Sequence, residues 1–383
     1  MKKTNILIYG ATGSIGDSVL SLVRSQKNHF NVVGMTCEKN IKKLSKLADE
    51  FNTKNIGIAN YNKDMNYDKY FPDKKIFFNL DEFKDLIDDS VDIIVFAISG
   101  TSILKLGLDI AKSGKVVGIA NKECIISLGD IIINLAKLNN TKIIPLDSEH
   151  NSIYQLLNNN NSSFESITIT GTGGPFLFKN INDFKNIKVE EAVKHPVWKM
   201  GKKISVDSAT MVNKGLEIIE AKYLFDIDIR KINVLIHPQA IVHGFVSYKD
   251  SSIISFMSFP DMRVPISNLL FPCSKINIDD LHLDLAQIET LNFYKVDKMK
   301  FPVIDYVNQI MDMGGLAPHG FNYTNDKLVN LFLNKKIKFL DIINFNISTL
   351  DKYFAINSNI EKPTIDDIFH FNKWIDGNIY LGE

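Results

Sequence analysis

Asn5-Ile6-Leu7-Ile8-Tyr9-Gly10-Ala11-Thr12-Gly13-Ser14-Ile15-Gly16 is the stretch on which the fold turns. An apolar, strand-like run leads into glycines spaced GxxGxxG, and residues 18–25 continue with the pattern of a helix. Glycines in a strand–turn–helix let the backbone turn tightly and approach a pyrophosphate, whose charge then meets the helix N-terminus. A tight turn without a ligand is the competing reading. It is the weaker one here, because the turn opens a series of alternating strands and helices.

That series runs outward from the turn. Residues 32–35 read as a strand and 41–51 as a helix with Leu44, Leu47, Ala48 and Phe51 on one face. Residues 91–98, apolar except for Asp92, read as a strand buried on both sides, and 103–112 follow as a helix. Strand 116–120, helix 125–138 and strand 141–146 complete the rhythm. Such alternation predicts a parallel, doubly wound sheet.

Beyond residue 164 the character changes. Residues 167–170, 234–237, 241–248 and 253–257 read as strands of a second, mixed sheet with helices between them. Segment 271–301 lacks periodicity and is bordered by Pro272 and Pro302, as expected of a linker. Residues 303–312, 326–334, 339–352 and 364–375 look helical, the simplest arrangement being a small bundle. The expected class is α/β. The expected partition is a dinucleotide-binding domain at 1–147, a catalytic α+β domain at 148–270, the linker at 271–301 and a helical domain at 302–383.

Composition agrees with a multidomain globular chain. At 383 residues it exceeds one ordinary core, and 45% hydrophobic residues supply ample core material. Lys plus Arg equals Asp plus Glu at 44 each, which argues against a general nucleic-acid or membrane-surface binder. Cys37, Cys124 and Cys273 are far apart, so neither a disulfide framework nor a zinc knuckle is expected. That suits a reducing compartment. Met1-Lys2-Lys3 runs directly into a strand, no signal peptide is expected, and no apolar run has the length of a membrane span. The asparagine run 158–161 reads as composition bias on a surface loop.

The chemistry is carried by acids. Pro145-Leu146-Asp147-Ser148-Glu149-His150-Asn151 hangs two carboxylates on a strand end with a hydroxyl between them. Carboxylates this close repel unless a cation or a proton lies between them. Glu217 and Glu220, in Asn213-Lys214-Gly215-Leu216-Glu217-Ile218-Ile219-Glu220, share one helix face. An all-oxygen set of Asp147, Glu149 and Glu217 suits Mg²⁺ or Mn²⁺ better than zinc. The plainer alternative is that Glu149 caps a helix starting near Asn151 while Glu217 and Glu220 form a solvated face. For Glu220 the two readings weigh about equally.

Between the acids lies material for an anion site. Thr170-Gly171-Thr172-Gly173-Gly174-Pro175-Phe176 is a strand end with a glycine-rich loop, and Ser208, Asn213 and Lys214 add hydroxyl, amide and ammonium donors. Such donors hold a phosphate dianion, although Ser/Thr/Gly loops also occur as plain turns. Lys194-His195-Pro196-Val197-Trp198-Lys199-Met200-Gly201-Lys202-Lys203 reads as a lid: core packing is the plain alternative for Trp198, but its cationic flanks favour a cover over an anionic substrate. His237 and His243 read as structural. At the end of the second strand Glu38 favours a ribose 2′-hydroxyl and Lys39 a 2′-phosphate, so NAD and NADP both remain open here.

Taken together these segments resemble the 1-deoxy-D-xylulose 5-phosphate reductoisomerase family over most of the chain. To the stretches quoted above are added Ala120-Asn121-Lys122-Glu123, Lys203-Ile204-Ser205-Val206-Asp207-Ser208-Ala209-Thr210-Met211, Ile236-His237-Pro238-Gln239 and Pro260-Asp261-Met262-Arg263. The resemblance implies an NADPH- and metal-dependent enzyme (Mg²⁺, Mn²⁺ or Co²⁺) of isoprenoid precursor synthesis, cytoplasmic and homodimeric. It implies metal ligation by Asp147, Glu149 and Glu217, with catalytic roles for these and for Lys122 and His195. It implies phosphosugar contacts from Lys122, Ser148, Glu149, Thr172, His195, Trp198, Ser208, Asn213, Lys214 and Glu217. The cofactor would meet Thr12, Gly13, Ser14, Ile15, Glu38, Lys39, Asn40, Asn121, Glu123, Gly201 and Met262. The implied reaction rearranges the ketose phosphate, by retro-aldol cleavage and re-addition or by an α-ketol shift, and reduces the aldehyde to 2-C-methyl-D-erythritol 4-phosphate.

Three features depart from the family pattern. Thr172 stands where a serine is usual, keeping the hydroxyl and adding a methyl. Glu38 stands where a small residue precedes Lys-Asn, and residues 322–326 follow an Asn-Ala-Ala-Asn-Glu pattern only loosely. Two other readings compete: a sugar-phosphate or semialdehyde dehydrogenase without isomerase activity, and a silent dinucleotide-binding regulator. A chelator separates the first; retention of all the carboxylates and of Lys214 speaks against the second.

Overall fold

A computed structural model describes residues 2–158 and 163–379. Seven strands form a sheet that is parallel throughout, in the order β4-β3-β2-β1-β5-β6-β7. They are β1 (Thr4–Tyr9), β2 (Phe30–Cys37), β3 (Asn55–Ile58), β4 (Lys75–Phe78), β5 (Ile93–Phe96), β6 (Val116–Ile119) and β7 (Lys142–Pro145). The order reverses between β1 and β5, the position at which open α/β sheets take their ligands beyond the strand carboxyl ends. Ile6, Leu7, Ile8, Ile94, Val95 and Phe96 are fully buried, which is why these strands are legible as continuous apolar runs.

The parallel architecture is the one the periodicity predicts, with instructive differences. Strands β3 and β4 leave no clear pattern because each is four residues long, on one flank of the sheet, within Asn- and Lys-rich sequence. The first helix begins at Ser14 and runs Ser14–Ser25, since the last glycine of the turn is itself helical. The helix expected over 125–138 is two, Lys122–Leu128 and Asp130–Leu138, broken at Gly129 with φ +47°. A Cβ on Gly129 would lie 2.8 Å from the Tyr223 ring, so the break lets that ring approach.

The second sheet has the order β11-β10-β8-β9, from β8 (Phe164–Gly171), β9 (Ile232–Ile236), β10 (Val242–Tyr248) and β11 (Ile253–Met257). β8 and β9 are parallel and the other pairs antiparallel, so the sheet is mixed as expected. Four helices form the C-terminal part: Val303–Met313, Ala317–Leu333, Asp341–Ile356 and Ile365–Asn378. The second starts well before its predicted residue 326 because Pro318 and Gly320 obscure the pattern. Pro318 is tolerated in the first turn, and a Cβ on Gly320 would meet Phe371 at 2.5 Å.

The chain folds as two compact units, one of Met1–Cys124, Asp130–Asn151 and Asp261–Leu281, the other of Ile125–Gly129, Ser152–Pro260 and His282–Glu383. The aperiodic segment 271–301 thus contributes to both, with only a short helix, Leu285–Ile288, and one bridge between Ile236 and Tyr294. A helix at Arg263–Leu270, not expected from the sequence, belongs to the first unit. Cys37, Cys124 and Cys273 are free thiols. Among the described residues no helix is long and apolar enough to cross a membrane. The asparagine run continues from Asn158, the end of the helix Ser148–Asn158, and residues 159–161 lie outside the described residues.

Candidate active site

In the first unit the glycine turn is built from both sides. Gly10 has φ +87°, and a Cβ there would lie 2.5 Å from the Ala97 carbonyl oxygen, so the ends of β1 and β5 approach only around a glycine. The buried Thr36 holds the turn from β2: its hydroxyl accepts from the Gly10 N–H at 2.9 Å and its carbonyl from the Ala11 N–H at 2.9 Å. Lys43 donates to the Thr12 carbonyl at 3.0 Å and to Asp17 at 2.7 Å. Neither Thr36 nor Lys43 has a local sequence signal. Gly13, Ser14 and Ile15 form the mouth of the turn, with Gly13 and Ser14 exposed.

Around the turn the expected cofactor residues divide by role. Glu38 accepts from Asn60 at 3.2 Å and lies 3.5 Å from the highly exposed Lys39 ammonium. Asn40 caps the helix Ile41–Glu50 by accepting from the Lys43 N–H. Asn121, buried, donates to the carbonyls of Ile98 and Gly100 and accepts from the Cys124 N–H at 2.6 Å. Glu123 accepts from the Gly100 N–H at 3.3 Å. The pair therefore ties the loop after β5 to the helix Lys122–Leu128. Met262 sits between Asp261 and Arg263, whose side chains form a two-pronged ion pair at 2.9 and 3.0 Å.

The acids of this unit lie at the carboxyl end of β7, on the same edge of the parallel sheet as the glycine turn. Asp147 caps the helix Ser148–Asn158, its Oδ1 accepting from the Glu149 N–H at 3.2 Å. Glu149 is thus in the first helical turn, and the capping role that is the alternative reading for it belongs to Asp147. Lys122 donates to Asp147 Oδ2 at 3.2 Å, and the buried His150 Nδ1 lies 3.3 Å from Asp147 Oδ1. Ser148 donates to Glu149 at 2.6 Å. Asn151 turns inward, donating to the Pro145 carbonyl and accepting from Asn268.

In the second unit the helix Val212–Phe225 is buried almost all round, which removes the solvated-face reading: Glu217 is 1% and Glu220 2% exposed. Asn213 donates to Glu217 Oε1 at 2.5 Å and Lys214 to Glu217 Oε2. A carboxylate this deep needs such partners. A Cβ on Gly171 would lie 2.8 Å from Lys214 Cε, so the lysine stem crosses the end of β8 only because that residue is glycine. The helix starts from Met211 in the left-handed conformation, φ +61°, a sharp turn that delivers Asn213 and Lys214.

The glycine-rich loop and the lid segment meet at Thr172. Its hydroxyl lies 3.0 Å from His195 Nε2 and accepts from the Gly174 N–H at 3.2 Å. His195 Nδ1 accepts from the N–H groups of Val197 and Trp198, at 3.2 and 2.8 Å. Burial pushes the His195 imidazole down to about 4, so the ring is neutral near pH 7. With Nδ1 accepting, the proton resides on Nε2 and is donated to Thr172. Trp198 rests against His243, ring centroids 6.5 Å apart. Gly201 caps the helix Lys202–Ala209, its carbonyl accepting from Ser205. Lys203, read as one of the lid's cations, is instead held by Asp207 at 3.0 Å and Asp326 at 2.9 Å. His237 is structural as expected, bonded to the Asn292 carbonyl at 2.9 Å and stacked on Phe293.

Comparison with known proteins agrees with this chemistry. Residues 6–129 match the family profile of 1-deoxy-D-xylulose 5-phosphate reductoisomerase, and 143–225 and 257–376 match two profiles of its C-terminal domains. The chain is 37% identical over 372 residues to the reductoisomerase of Agathobacter rectalis, covering 96% of each. It is 38% identical over 381 residues to that of Pelagibacter ubique, covering 98% of each. The Zymomonas mobilis enzyme, solved in complex with NADPH, superposes with a TM-score of 0.89 at 33% identity, covering 97% of each chain. A reductoisomerase solved with NADPH, fosmidomycin and magnesium gives 0.87 at 34% identity, covering 98% of this chain and 97% of that one. The chain belongs to the 1-deoxy-D-xylulose 5-phosphate reductoisomerase family.

Proposed function

We propose that this chain converts 1-deoxy-D-xylulose 5-phosphate to 2-C-methyl-D-erythritol 4-phosphate, using NADPH and a divalent cation. The observation that carries the reading is Glu217: a carboxylate on a buried helix, framed by amide and ammonium donors, in a chain with a dinucleotide turn. Gly13 is the test of fit for the dinucleotide. Its backbone is open to any residue, and a Cβ would meet nothing nearer than 3.4 Å, so the missing side chain serves what approaches from outside. For the cation, Asp147 and Glu149 are hard oxygen donors at the junction of β7 and the helix Ser148–Asn158, with the Lys122 ammonium already drawn to Asp147.

In this reading Asp147, Glu149 and Glu217 hold Mg²⁺, Mn²⁺ or Co²⁺. NADPH is held by Thr12, Gly13, Ser14, Ile15, Lys39, Asn40, Asn121, Glu123, Gly201 and Met262. A 2′-phosphate competes with Glu38 for the Lys39 ammonium. When bound, the ion supplies Lewis acidity toward negative charge developing on substrate oxygens, and the dinucleotide supplies the hydride. Thr172, Ser208, Asn213 and Lys214 grip the phosphate. Because Thr172 already accepts from His195 and Gly174, its own O–H is free to donate outward. Holding the phosphate keeps the substrate carbons aligned through rearrangement. Lys122 and Ser148 orient the sugar end, and Trp198 covers it from water.

Functionally, residues 1–147 bind the dinucleotide, 148–270 carry the substrate, 271–301 link and 302–383 support. Free thiols suit the cytoplasm. Exposed Ile253, Ile254 and Phe259 on and beside the edge strand β11 suit a homodimer. A sedimentation mass of one 43.3 kDa chain would overturn that. The deciding experiment is NADPH oxidation with 1-deoxy-D-xylulose 5-phosphate before and after EDTA. We expect turnover lost with chelator and restored by Mg²⁺; turnover that persists in EDTA would point to a simple dehydrogenase.

A further inference from the structure

The helix Lys202–Ala209 carries Ser208 but has little apolar material to hold it. Its buried residues are Ser205, Val206, Asp207 and Ala209, of which only Val206 is a large aliphatic. What anchors it is polar. Asp207 is 2% exposed; its Oδ1 accepts from Asn325 Nδ2 at 2.8 Å and its Oδ2 lies 3.0 Å from Lys203 Nζ. Lys203 in turn reaches Asp326 at 2.9 Å. Asn325 is fully buried on the helix Ala317–Leu333, so the tie runs to a well-packed frame.

Ser208 is the next residue after Asp207, and its carbonyl lies directly beneath the glycine-rich loop. A Cβ on Gly174 would meet Ser208 O at 2.8 Å and Ala209 Cα at 3.1 Å. The seat of this helix therefore sets the Ser208 hydroxyl and the loop that presents Thr172. Met211 then leads into Asn213 and Lys214.

We infer that Asn325, acting through the carboxylate of Asp207, is a positioning residue for substrate-phosphate binding, with Lys203 and Asp326 as its outer support. The inference rests on the reading of Ser208 as a phosphate ligand. A general structural role for Asn325 would lower stability without coupling to Ser208; a positioning role requires the coupling.

The test is a double-mutant cycle in the full chain with Asn325→Ala and Ser208→Ala, reading KM for 1-deoxy-D-xylulose 5-phosphate, kcat and NADPH affinity. Asn325→Ala should raise KM about tenfold, the size of one lost charge-assisted hydrogen bond, with NADPH affinity within about twofold. The double variant should have the KM of Ser208→Ala to within about twofold. Effects that multiply overturn the inference. Ser208→Ala with an unchanged KM overturns the phosphate reading itself. Should Asn325→Ala fail to fold, Asp326→Asn, at a partly exposed partner, takes its place with an expected KM rise of about two- to fourfold and the same requirement of non-additivity.

Discussion

The glycines of the nucleotide turn make different demands, and replacing them one at a time separates folding from binding. Gly13 is the N-cap of the helix Ser14–Ser25 with φ −86° and ψ 177°, extended backbone that alanine adopts freely. A Cβ there would meet only Gly10 O, at 3.4 Å. Two small terms oppose each other in Gly13→Ala: alanine is a poorer N-cap than glycine, but it restricts the unfolded chain by about 0.4–1 kcal/mol. Stability should stay within about 0.5 kcal/mol of the native protein. Binding is another matter, because the added methyl stands where a pyrophosphate must approach the backbone N–H groups. Losing one such charge-assisted bond costs about 1.5–3 kcal/mol, which is roughly a 10- to 100-fold weaker NADPH Kd. Gly16→Ala inverts the pattern. Its Cβ would lie 2.5 Å from Ala11 O and 2.6 Å from Gly10 O, both backbone, so about 1–3 kcal/mol of overpacking falls on the fold. Thermal unfolding and NADPH fluorescence titration of both variants decide the matter. A folded Gly13→Ala protein that binds NADPH within threefold of the native affinity would refute the assignment of this turn to the pyrophosphate.

Glu217→Gln keeps shape and burial but removes the charge that faces Lys214. Turnover should fall at least about a hundredfold with NADPH affinity unchanged, and near-normal activity in saturating Mg²⁺ would dismiss the residue as a ligand. Acid should weaken the second unit through His319. This histidine is buried, bonded to Ser127 at 2.8 Å and Asn372 at 2.6 Å, and burial pushes it down to about 4 from the ordinary 6.5. A depressed histidine contributes stability that is present above pH 6.5 and lost as the pH falls toward 4, amounting to about 2 kcal/mol between pH 7 and 5. Urea unfolding of the native protein and of His319→Gln at both pH values should show that difference in slope, and parallel curves would contradict it.

Much of this molecule is written locally. Strands buried on both faces appear as unbroken apolar runs, and acids at a strand end announce themselves against such a background. What stayed illegible depends on distant partners. Thr36 and Lys43 support the nucleotide turn from residues 26 and 31 positions away, with no pattern of their own. Asp207 meets Asn325 across 118 residues, and His319 meets Ser127 across 192. Gly320 helped conceal the start of a helix because its fit is decided by distant Phe371 and Leu350.

By itself the sequence determined the alternation of strands and helices, the nucleotide turn, the clustering of acids after the seventh strand and in a later helix and, through its ordered motifs, the family. Only the tertiary structure decided that Glu217 and Glu220 are interior rather than solvated, that Lys203 serves carboxylates of its own unit, and that Gly13 and Gly16 answer to different constraints. The physical reason is that periodicity reports on chain neighbours within a few residues. Burial and hydrogen-bond pairing are set by whatever the rest of the chain packs against a side chain.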